Sequence, residues 1–203
     1  MEAQYRTAEW AEPFGRFGQW MRRAMEGAVA EPTAMSLATA AADGRPSARM
    51  VLLKGFDERG FVFYTNLESR KAREIGENPH AALCFHWQPL ELQVRIEGRV
   101  EAVSQDEADE YYASRPRLSR IGAWASRQSR PLASYRELMA AVEEYEARWD
   151  GDDIPRPEFW SGFRVVPDRI EFWQGRPNRL HERERFDLDA TEPTRWKVQY
   201  LYP

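Results

Sequence analysis

The feature that most constrains the fold is a series of short, strand-like segments joined by tight turns in the first half of the chain. The turn "DGRP" is flanked by "AMSLATAA" and "SARMVLLKGF", and "GFDERG" leads into "FVFYT". The dipeptide "QP" joins "AALCFHW" to "LELQVRIEGRVEAV". Segments of this kind with turn residues between them form hairpins. The sequence therefore predicts five early strands in an antiparallel barrel or sandwich.

Helical patterns precede, interrupt and follow these strands. The segment 13–29 predicts a helix with apolar residues near one face: Phe14, Phe17, Met21 and Met25. A shorter helix follows Ser69 and closes at "GENP". Capping boxes, in which a serine precedes a glutamate by three residues, open two more helices after Ser104 and Ser134. The last helix carries a stripe at helical spacing that we interpret as packing: Leu138, Val142, Tyr145 and Trp149.

The final quarter of the chain returns to strand-like segments. These segments are "FWSGFRVV", "RIEFWQ", "RERFDL" and "RWKVQYL". The whole pattern predicts an α+β protein, a mostly antiparallel barrel with peripheral helices. We expect a single domain over residues 1–203, in which residues 1–12 form a flexible N-terminal segment.

Composition limits the classes of function. The net charge of −4 over 203 residues argues against a general nucleic-acid binder. Cys84 is the single cysteine, so no disulfide framework is expected and a reducing cytosol fits. The start "MEAQYRTAEW" lacks the basic and apolar regions of a signal peptide, and no apolar stretch approaches the roughly 20 residues of a membrane helix. We therefore expect a cytoplasmic protein that binds neither nucleic acid nor membranes.

Several common kinds of catalytic site are not indicated by the sequence. The three histidines, His80, His86 and His181, are scattered and have no carboxylate at ligand spacing, so we predict no metal site. The lone cysteine lies in an apolar strand pattern, and no GxSxG motif is present, so covalent catalysis has no visible nucleophile.

Two groups of cations beside hydroxyl or aromatic residues remain as candidate sites. Ser69 is a good N-cap, yet Arg70 and Lys71 add positive charge to a helix start that is already positive. Tyr111 and Arg115 are four residues apart and share a helix face, with a serine just beyond at position 119. A solvated surface is the alternative interpretation of each group. Together, two such clusters would suit two phosphates.

Other polar residues give weaker signals. Arg49 and Lys54 are an odd number of residues apart, so in a regular strand they would point to opposite faces unless a bulge intervened. Gln128 and Ser129 lie between arginines, where loop residues are the default interpretation. Three alternating residues would share one face of an extended segment and repel one another unless they shared an anion: Arg179, His181 and Arg183.

Four longer blocks carry a resemblance to a known family. They are "RMVLLKGFDERGFVFYTNLESRKA", "YYASRPRLSRIGAWASRQS", "FWSGFRV" and "IEFWQGRPNRLHER". With these blocks in order, the chain resembles the pyridoxamine 5′-phosphate oxidases from about Pro13 to Pro203. The resemblance implies an FMN-binding split barrel and a homodimer with FMN between the subunits. It also implies oxidation of pyridoxamine or pyridoxine 5′-phosphate to the aldehyde, with O₂ as acceptor and release of hydrogen peroxide.

The resemblance also assigns roles to individual residues. It implies that substrate is bound by Lys54, Tyr111, Arg115, Ser119, Arg179 and His181, the last two lying at the reacting ring as the catalytic pair. It implies that FMN is bound by Arg49, Met50, Val51, Leu52, Leu53, Lys54, Tyr64, Thr65, Ser69, Arg70, Lys71, Gln93, Gln128, Ser129, Trp173 and Arg183. The FMN phosphate would then compensate the cations at the Ser69 helix start.

Two alternatives stay open at this point. The ending Tyr200-Leu201-Tyr202-Pro203 and the "RLHER" motif also resemble the flavin oxidases of phenazine biosynthesis, which act on larger rings without phosphate. The complete substrate-phosphate clamp argues for a vitamin B6 phosphate instead. A non-catalytic flavin-binding split barrel would need neither the clamp nor Arg179 and His181, so the presence of all of them disfavours it.

Overall fold

A computed structural model of the chain describes residues 12–192 and 194–203. Five α-helices are present in these ranges: α1 (Phe14–Glu26), α2 (Arg70–Glu77), α3 (Gln105–Ser114), α4 (Arg117–Ala125) and α5 (Tyr135–Arg148). None of them is long and apolar enough to cross a bilayer. The segment 1–12 was predicted to be flexible, and all of it but Glu12 lies outside the described residues.

Nine strands of the described residues form one antiparallel sheet. The strands are β1 (Ala34–Ala40), β2 (Pro46–Leu52), β3 (Gly55–Asp57), β4 (Gly60–Asn66), β5 (His80–Trp87), β6 (Leu92–Ala102), β7 (Trp160–Gln174), β8 (Glu182–Leu188) and β9 (Trp196–Tyr200). Their order is β2-β1-β5-β6-β7-β4-β3, and β8 pairs with both β7 and β9. The α+β class and the split-barrel architecture predicted from sequence are confirmed.

The core lies on the inner face of this sheet and is closed by α1. Phe17 and Met21 are fully buried, and the Phe17 ring meets Phe61 at 4.9 Å and Phe85 at 5.2 Å between ring centroids. The predicted apolar face of α1 is correct except for Met25, which is 40% exposed. Ala24 takes the buried position one turn after Met21, because the helix turns about 100° per residue.

Two predicted strand boundaries were wrong, and both corrections matter for the site. The segment "SARMVLLKGF" is not one strand, since β2 ends at Leu52 and β3 starts at Gly55. The segments "FWSGFRVV" and "RIEFWQ", predicted as two strands, are one strand, β7. The pairing of β7 with β6 shifts register between Glu97 and Gly98, where Gly98 pairs with Pro167. A bulge of this kind lets a long strand bend without ending.

The helices after β6 pack on the outside of the barrel. Both predicted serine N-caps are present, because Ser104 and Ser134 accept the backbone N–H of the glutamate three residues later. The helix α4 was not predicted, since Pro116 was interpreted only as the end of α3, whereas it also starts the next helix. The apolar stripe of α5 packs against this helix, with Trp124 and Trp149 ring centroids 5.3 Å apart.

Candidate active site

A cleft of about 840 Å³ lies between β2, β4, the start of α2 and the helices α3 and α4. Fourteen residues predicted from the sequence line it: Arg49, Met50, Val51, Leu52, Lys54, Tyr64, Thr65, Arg70, Lys71, Tyr111, Arg115, Ser119, Gln128 and Ser129. Leu53 and Ser69, also predicted, are buried beneath this surface. A volume of this size is typical of cofactor and substrate pockets.

The chain bend after β2 brings Arg49 and Lys54 to the same cleft. Their odd spacing predicted opposite faces in a regular strand, but the strand stops at Leu52. Leu53 donates its N–H to Thr33 O, and Lys54 donates to Val62 O, each at 2.9 Å. Because the strand ends before Lys54, no bulge is needed to bring both side chains to the cleft.

The start of α2 forms one end of the cleft and holds a buried lysine. The Ser69 hydroxyl accepts the Ala72 N–H at 3.4 Å, which confirms Ser69 as the N-cap. Lys71 is 8% exposed, and its Nζ donates to Thr65 Oγ1 at 3.1 Å and Gln128 Oε1 at 3.0 Å. Burial, together with the nearby charge of Arg49, lowers the pKa of Lys71 to about 8.

A carboxylate network lies behind this end of the cleft. Glu74 is 5% exposed and accepts hydrogen bonds from Thr39 Oγ1 and Ser47 Oγ, both at 2.5 Å. It also accepts from Arg70 Nε at 2.8 Å and Arg49 Nη2 at 3.2 Å. These donors lower the pKa of Glu74 to about 2, against the opposing effect of burial. Sequence reasoning did not identify this residue as part of the site.

The other end of the cleft has a wall of stacked aromatic rings. Tyr64 and Tyr111 stack at 3.9 Å between centroids, and Trp160 lies 5.5 Å from Tyr64 in a nearly parallel plane. The Arg115 guanidinium lies over the Trp160 ring at 4.7 Å. Gly162 leaves room for this wall, since a Cβ there would lie 2.7 Å from the Tyr64 ring. Neither Trp160 nor Gly162 was predicted as a site residue.

Two cations, Lys54 and Arg115, line this end of the cleft. Arg115 follows α3 as its C-cap, so it does not share a helix face with Tyr111 as predicted, yet both line the cleft. Arg115 Nη1 is buried without a hydrogen-bond partner among the described residues. Burial lowers the pKa values of Arg115 and Lys54, and the charge of Arg115 contributes to the effect on Lys54. This pair is a second concentration of positive charge, distinct from the one at Lys71.

Five predicted residues do not line the cleft: Gln93, Trp173, Arg179, His181 and Arg183. Gln93 pairs with Trp173 across β6 and β7, and Trp173 pairs with Arg183 across β7 and β8. Cross-strand partners project their side chains from the same face of a sheet. The His181 ring lies 4.6 Å from the Trp173 ring. We refer to these five residues as the C-terminal cluster.

The predicted alternation of Arg179, His181 and Arg183 is wrong. Arg179 lies in a 3₁₀ turn with φ of 62°, and β8 begins only at Glu182. Arg183 is compensated by a buried carboxylate, since its Nε donates to Glu171 Oε1 at 2.8 Å. This hydrogen bond raises the pKa of Arg183. Arg183 is therefore compensated within the chain and does not require an anion.

The residues of the cleft fit a ligand with an anionic group at each end. No carboxylate is among the hydrogen-bond partners of Lys71 or Arg115 in the described residues. A buried cation without a counter-ion, and a buried guanidinium N–H without an acceptor, are both costly unless an anion binds. Between the two ends lie the backbone of β2 and the aromatic wall, which can contact flat rings.

Comparison with known proteins identifies the family. A family model described as "Pyridoxamine 5'-phosphate oxidase" matches residues 21–149, and one described as "Pyridoxine 5'-phosphate oxidase C-terminal dimerisation region" matches residues 160–203. A pyridoxine/pyridoxamine 5′-phosphate oxidase of Myxococcus xanthus (strain DK1622) is 56% identical over 192 residues, which cover 95% of this chain and 92% of the relative.

Two further proteins are similar to this chain over most of its length. The similarly named protein of Bordetella petrii is 57% identical over 193 residues, covering 95% of this chain and 90% of its own. The crystal structure of PhzG from Burkholderia lata 383, in complex with tetrahydrophenazine-1-carboxylic acid, superposes with a TM-score of 0.88 at 33% identity, covering 95% and 93% of the two chains. With family matches over most of its length, the chain belongs to the pyridoxamine 5′-phosphate oxidase family and is an oxidoreductase.

Proposed function

We propose that the protein uses FMN to oxidise pyridoxamine 5′-phosphate, pyridoxine 5′-phosphate or both to pyridoxal 5′-phosphate, with O₂ as acceptor and hydrogen peroxide as the second product. The observation that carries the proposal is the presence of two cation groups in one cleft, each with a cation that has no carboxylate partner in the described part of the chain. Lys71 and Arg115 belong to different groups, and each lacks a carboxylate partner among the described residues. FMN and a phosphorylated vitamin B6 each supply one phosphate.

The Lys71 group would hold the FMN phosphate. Arg49, Arg70 and Lys71 supply charge, and phosphate oxygens accept charge-assisted hydrogen bonds from such groups. The N-terminus of α2 adds backbone dipoles of the favourable sign. Ser129 closes this end, since its Oγ accepts the Arg70 N–H at 3.2 Å. FMN, when bound, would supply the two-electron redox chemistry that the protein's own side chains cannot perform.

The Arg115 group would hold the substrate phosphate. Lys54, Tyr111, Arg115 and Ser119 all line the same cleft. The partnerless Nη1 of Arg115 gains an acceptor when a phosphate binds, which is the strongest local reason to place the phosphate there. The aromatic wall excludes water beside it and orients a planar ring by stacking.

The C-terminal cluster would complete the site of a second subunit. Gln93, Trp173, Arg183, Arg179 and His181 do not line this chain's own cleft. The C-terminal residues match a dimerisation region, so a homodimer can bring the cluster of one chain to the cleft of its partner. His181 Nδ1 accepts the Arg176 N–H at 3.2 Å, so a neutral His181 ring carries its proton on Nε2 and can donate it to a substrate.

Anaerobic mixing with substrate tests the reaction. Purified yellow protein is expected to contain about one FMN per chain, and its flavin absorbance should bleach when pyridoxamine 5′-phosphate is added without oxygen. Readmission of air should restore the colour and release hydrogen peroxide. Protein that binds FMN but does not bleach would support the non-catalytic alternative. Bleaching by a dihydrophenazine acid in preference to the vitamin B6 phosphates would support the phenazine-type alternative.

Complementation tests the shared site. Lys71→Glu disables the cleft, and His181→Ala disables the C-terminal cluster. When the two variants are co-expressed, heterodimers contain one site with both defects and one intact site, so about a quarter of all sites become functional after random assembly. Activity well above that of either variant alone is expected. If co-expression gives no gain although heterodimers form, each chain builds its site alone.

A further inference from the structure

We infer that Glu74 is a positioning residue of the phosphate-binding end of the cleft, which fixes the guanidinium groups of Arg49 and Arg70 before an anion binds. This inference rests on the proposed FMN site. Glu74 itself does not line the cleft, but the two arginines it holds do. Its role would therefore act entirely through them.

The contacts of Glu74 join three elements of the fold. Its Oε2 accepts from Thr39 on β1, and from Ser47 and Arg49 on β2. Its Oε1 accepts from Arg70 on its own helix α2. A carboxylate buried to this degree is costly unless its hydrogen-bonding capacity is used, and here both oxygens are used. An ordinary surface pair between Arg70 and Glu74 would need none of the contacts to β1 and β2.

The same network restricts Arg49 strongly. Arg49 Nη1 donates to Thr39 Oγ1 at 2.5 Å and Leu37 O at 3.3 Å, and Nη2 donates to Ser47 Oγ as well as to Glu74. Its side chain is 20% exposed, whereas that of Arg70 is 60% exposed. For the Arg70 side chain, the contact with Glu74 is the one hydrogen bond within the described residues, so Arg70 depends most on Glu74 for its orientation.

Glu74 also sets the charge at this end of the cleft. Arg49, Arg70 and Lys71 provide three positive charges, and Glu74 reduces the net charge to two positive. A phosphate monoester carries about −1.5 to −2 at pH 7. The carboxylate therefore matches the site to one phosphate monoester while keeping its donors aimed at the cleft, a form of pre-organisation that lowers the cost of binding.

The test compares two flavins that differ in the phosphate. FMN and riboflavin share the ring and the ribityl chain, so the ratio of their dissociation constants reports the contribution of the phosphate. Glu74→Gln keeps the shape of the side chain and removes its charge. Glu77→Gln is the matched control, because Glu77 is exposed on the same helix. Within the described residues, its side chain accepts a hydrogen bond only from the Ala42 N–H, at 3.3 Å.

In flavin-free protein, we expect Glu74→Gln to weaken FMN binding about tenfold, the size of one charge-assisted contact. Riboflavin binding should be unchanged, and Glu77→Gln should resemble the unaltered protein. A purely structural role would leave the FMN-to-riboflavin ratio unchanged. If Glu74→Gln is too unstable to purify, Glu74→Asp keeps the charge and withdraws it from the arginines, and should raise the ratio of the FMN to the riboflavin dissociation constant.

Two results would overturn the inference. One is an unchanged ratio in a folded Glu74→Gln or Glu74→Asp variant, which would reduce Glu74 to a structural contact. The other is tighter FMN binding by Glu74→Gln. That result would mean that the greater net positive charge strengthens phosphate binding more than the lost orientation of the arginines weakens it. Failure of the proposed function has a different signature, because the unaltered protein itself would then bind FMN no more tightly than riboflavin.

Discussion

The cleft and the C-terminal cluster both contain cationic side chains, but they differ in whether those cations have a carboxylate partner. In the cleft, Lys71 and the Nη1 atom of the half-buried Arg115 are buried, and neither side chain has a carboxylate partner among the described residues. In the cluster, Arg183 is held by the buried carboxylate of Glu171. The pKa values follow this difference, since burial lowers those of Lys71 and Arg115 while the Glu171 hydrogen bond raises that of Arg183.

This difference separates two functions of a cation in one enzyme. An uncompensated cation in a concave site attracts an anion, and binding energy is gained when the anion arrives. A compensated cation on a sheet face is already satisfied, so it serves orientation rather than charge attraction. In the proposed function, the cleft would bind the phosphates, and the C-terminal cluster would arrange groups around the reacting ring. Each prediction below separates these two functions.

The largest effect is expected from reversing the charge of Lys71. Lys71→Glu places a carboxylate beside the proposed FMN phosphate in a buried site, where loss of a charge pair costs several kcal/mol. We expect FMN affinity to fall by at least about a hundredfold, measured by quenching of flavin fluorescence. Arg73→Glu is the control, because Arg73 is exposed on the same helix. Unchanged flavin retention in Lys71→Glu would remove Lys71 from the site.

The second prediction separates substrate binding from reaction. Arg115→Leu removes a charge-assisted contact to the substrate phosphate, which typically contributes about 1.5–3 kcal/mol. We expect KM to rise roughly ten- to a hundredfold, with a smaller loss in kcat and a normal flavin spectrum. Arg179→Ala and His181→Ala, in the C-terminal cluster, should instead lower kcat and the rate of anaerobic bleaching.

The phenazine-type alternative makes the reverse prediction for Arg115. Its substrates carry no phosphate, so Arg115→Leu would leave their oxidation unaffected. If the variant kept normal kinetics with pyridoxamine 5′-phosphate while the protein oxidised a dihydrophenazine acid well, the vitamin B6 proposal would be wrong. Steady-state kinetics with both substrates on the same variant decides between the two.

The third prediction uses the pKa of Lys71, which is about 8 in the ligand-free protein. A bound phosphate dianion stabilises the charged lysine, so FMN binding requires proton uptake once the free amine predominates. We expect FMN affinity to be flat from pH 7 to about 8, and then to weaken by up to about tenfold per pH unit. Riboflavin, which shares the titrating ring, controls for changes in the flavin.

The stability of the ligand-free protein should depend on pH in the opposite sense. Because folding lowers the pKa of Lys71, the unfolded chain binds more protons between about pH 8 and the ordinary lysine value of 10.5. The contribution of this group to the free energy of unfolding therefore rises across that interval. Lys71→Arg stays charged at every accessible pH, so it should remove both dependences. If Lys71→Arg retained the pH dependence of FMN binding, that dependence would belong to a group other than Lys71.

Most of the fold could be predicted because its signals are local. The hairpins, the capping serines at positions 69, 104 and 134 and the apolar face of α1 depend on neighbours in the sequence. The helix α4 escaped prediction because Pro116 both ends one helix and begins the next. The single-domain prediction and the roles of the individual site residues remain predictions.

The supporting residues of the site could not be predicted from local patterns. Glu74 acts through contacts to β1 and β2, and in the sequence it is one more charged residue on a polar helix. Trp160 lines the cleft, and Gly162 lies against the Tyr64 ring, because β7 pairs with β4, about a hundred positions earlier in the chain. Arg179 was misplaced because a 3₁₀ turn interrupts the alternation. Long-range pairing and a residue with positive φ leave little trace in the sequence.

Gly162 provides the smallest predicted effect and the finest test of the cleft. It is the cross-strand partner of Tyr64, and a Cβ there would lie 2.7 Å from two Tyr64 ring carbons and 3.0 Å from Val103 Cγ2. Gly162→Ala must therefore tilt the Tyr64 ring away from its stack with Tyr111. We expect a loss of about 1–3 kcal/mol in the free energy of unfolding, as is typical of overpacking, and a rise of a few-fold in KM.

The matched control for this substitution is Gly76→Ala. A Cβ at Gly76 meets nothing within 4 Å, and the position lies within α2, so alanine should stabilise the protein by about 0.5–1 kcal/mol without changing KM. FMN affinity should stay normal in Gly76→Ala and should fall less than substrate affinity in Gly162→Ala, because the Lys71 end of the cleft is untouched. If Gly162→Ala weakened FMN binding as strongly as substrate binding, the two ends of the cleft would be coupled through Tyr64. The separation of the cofactor and substrate phosphates would then have to be abandoned.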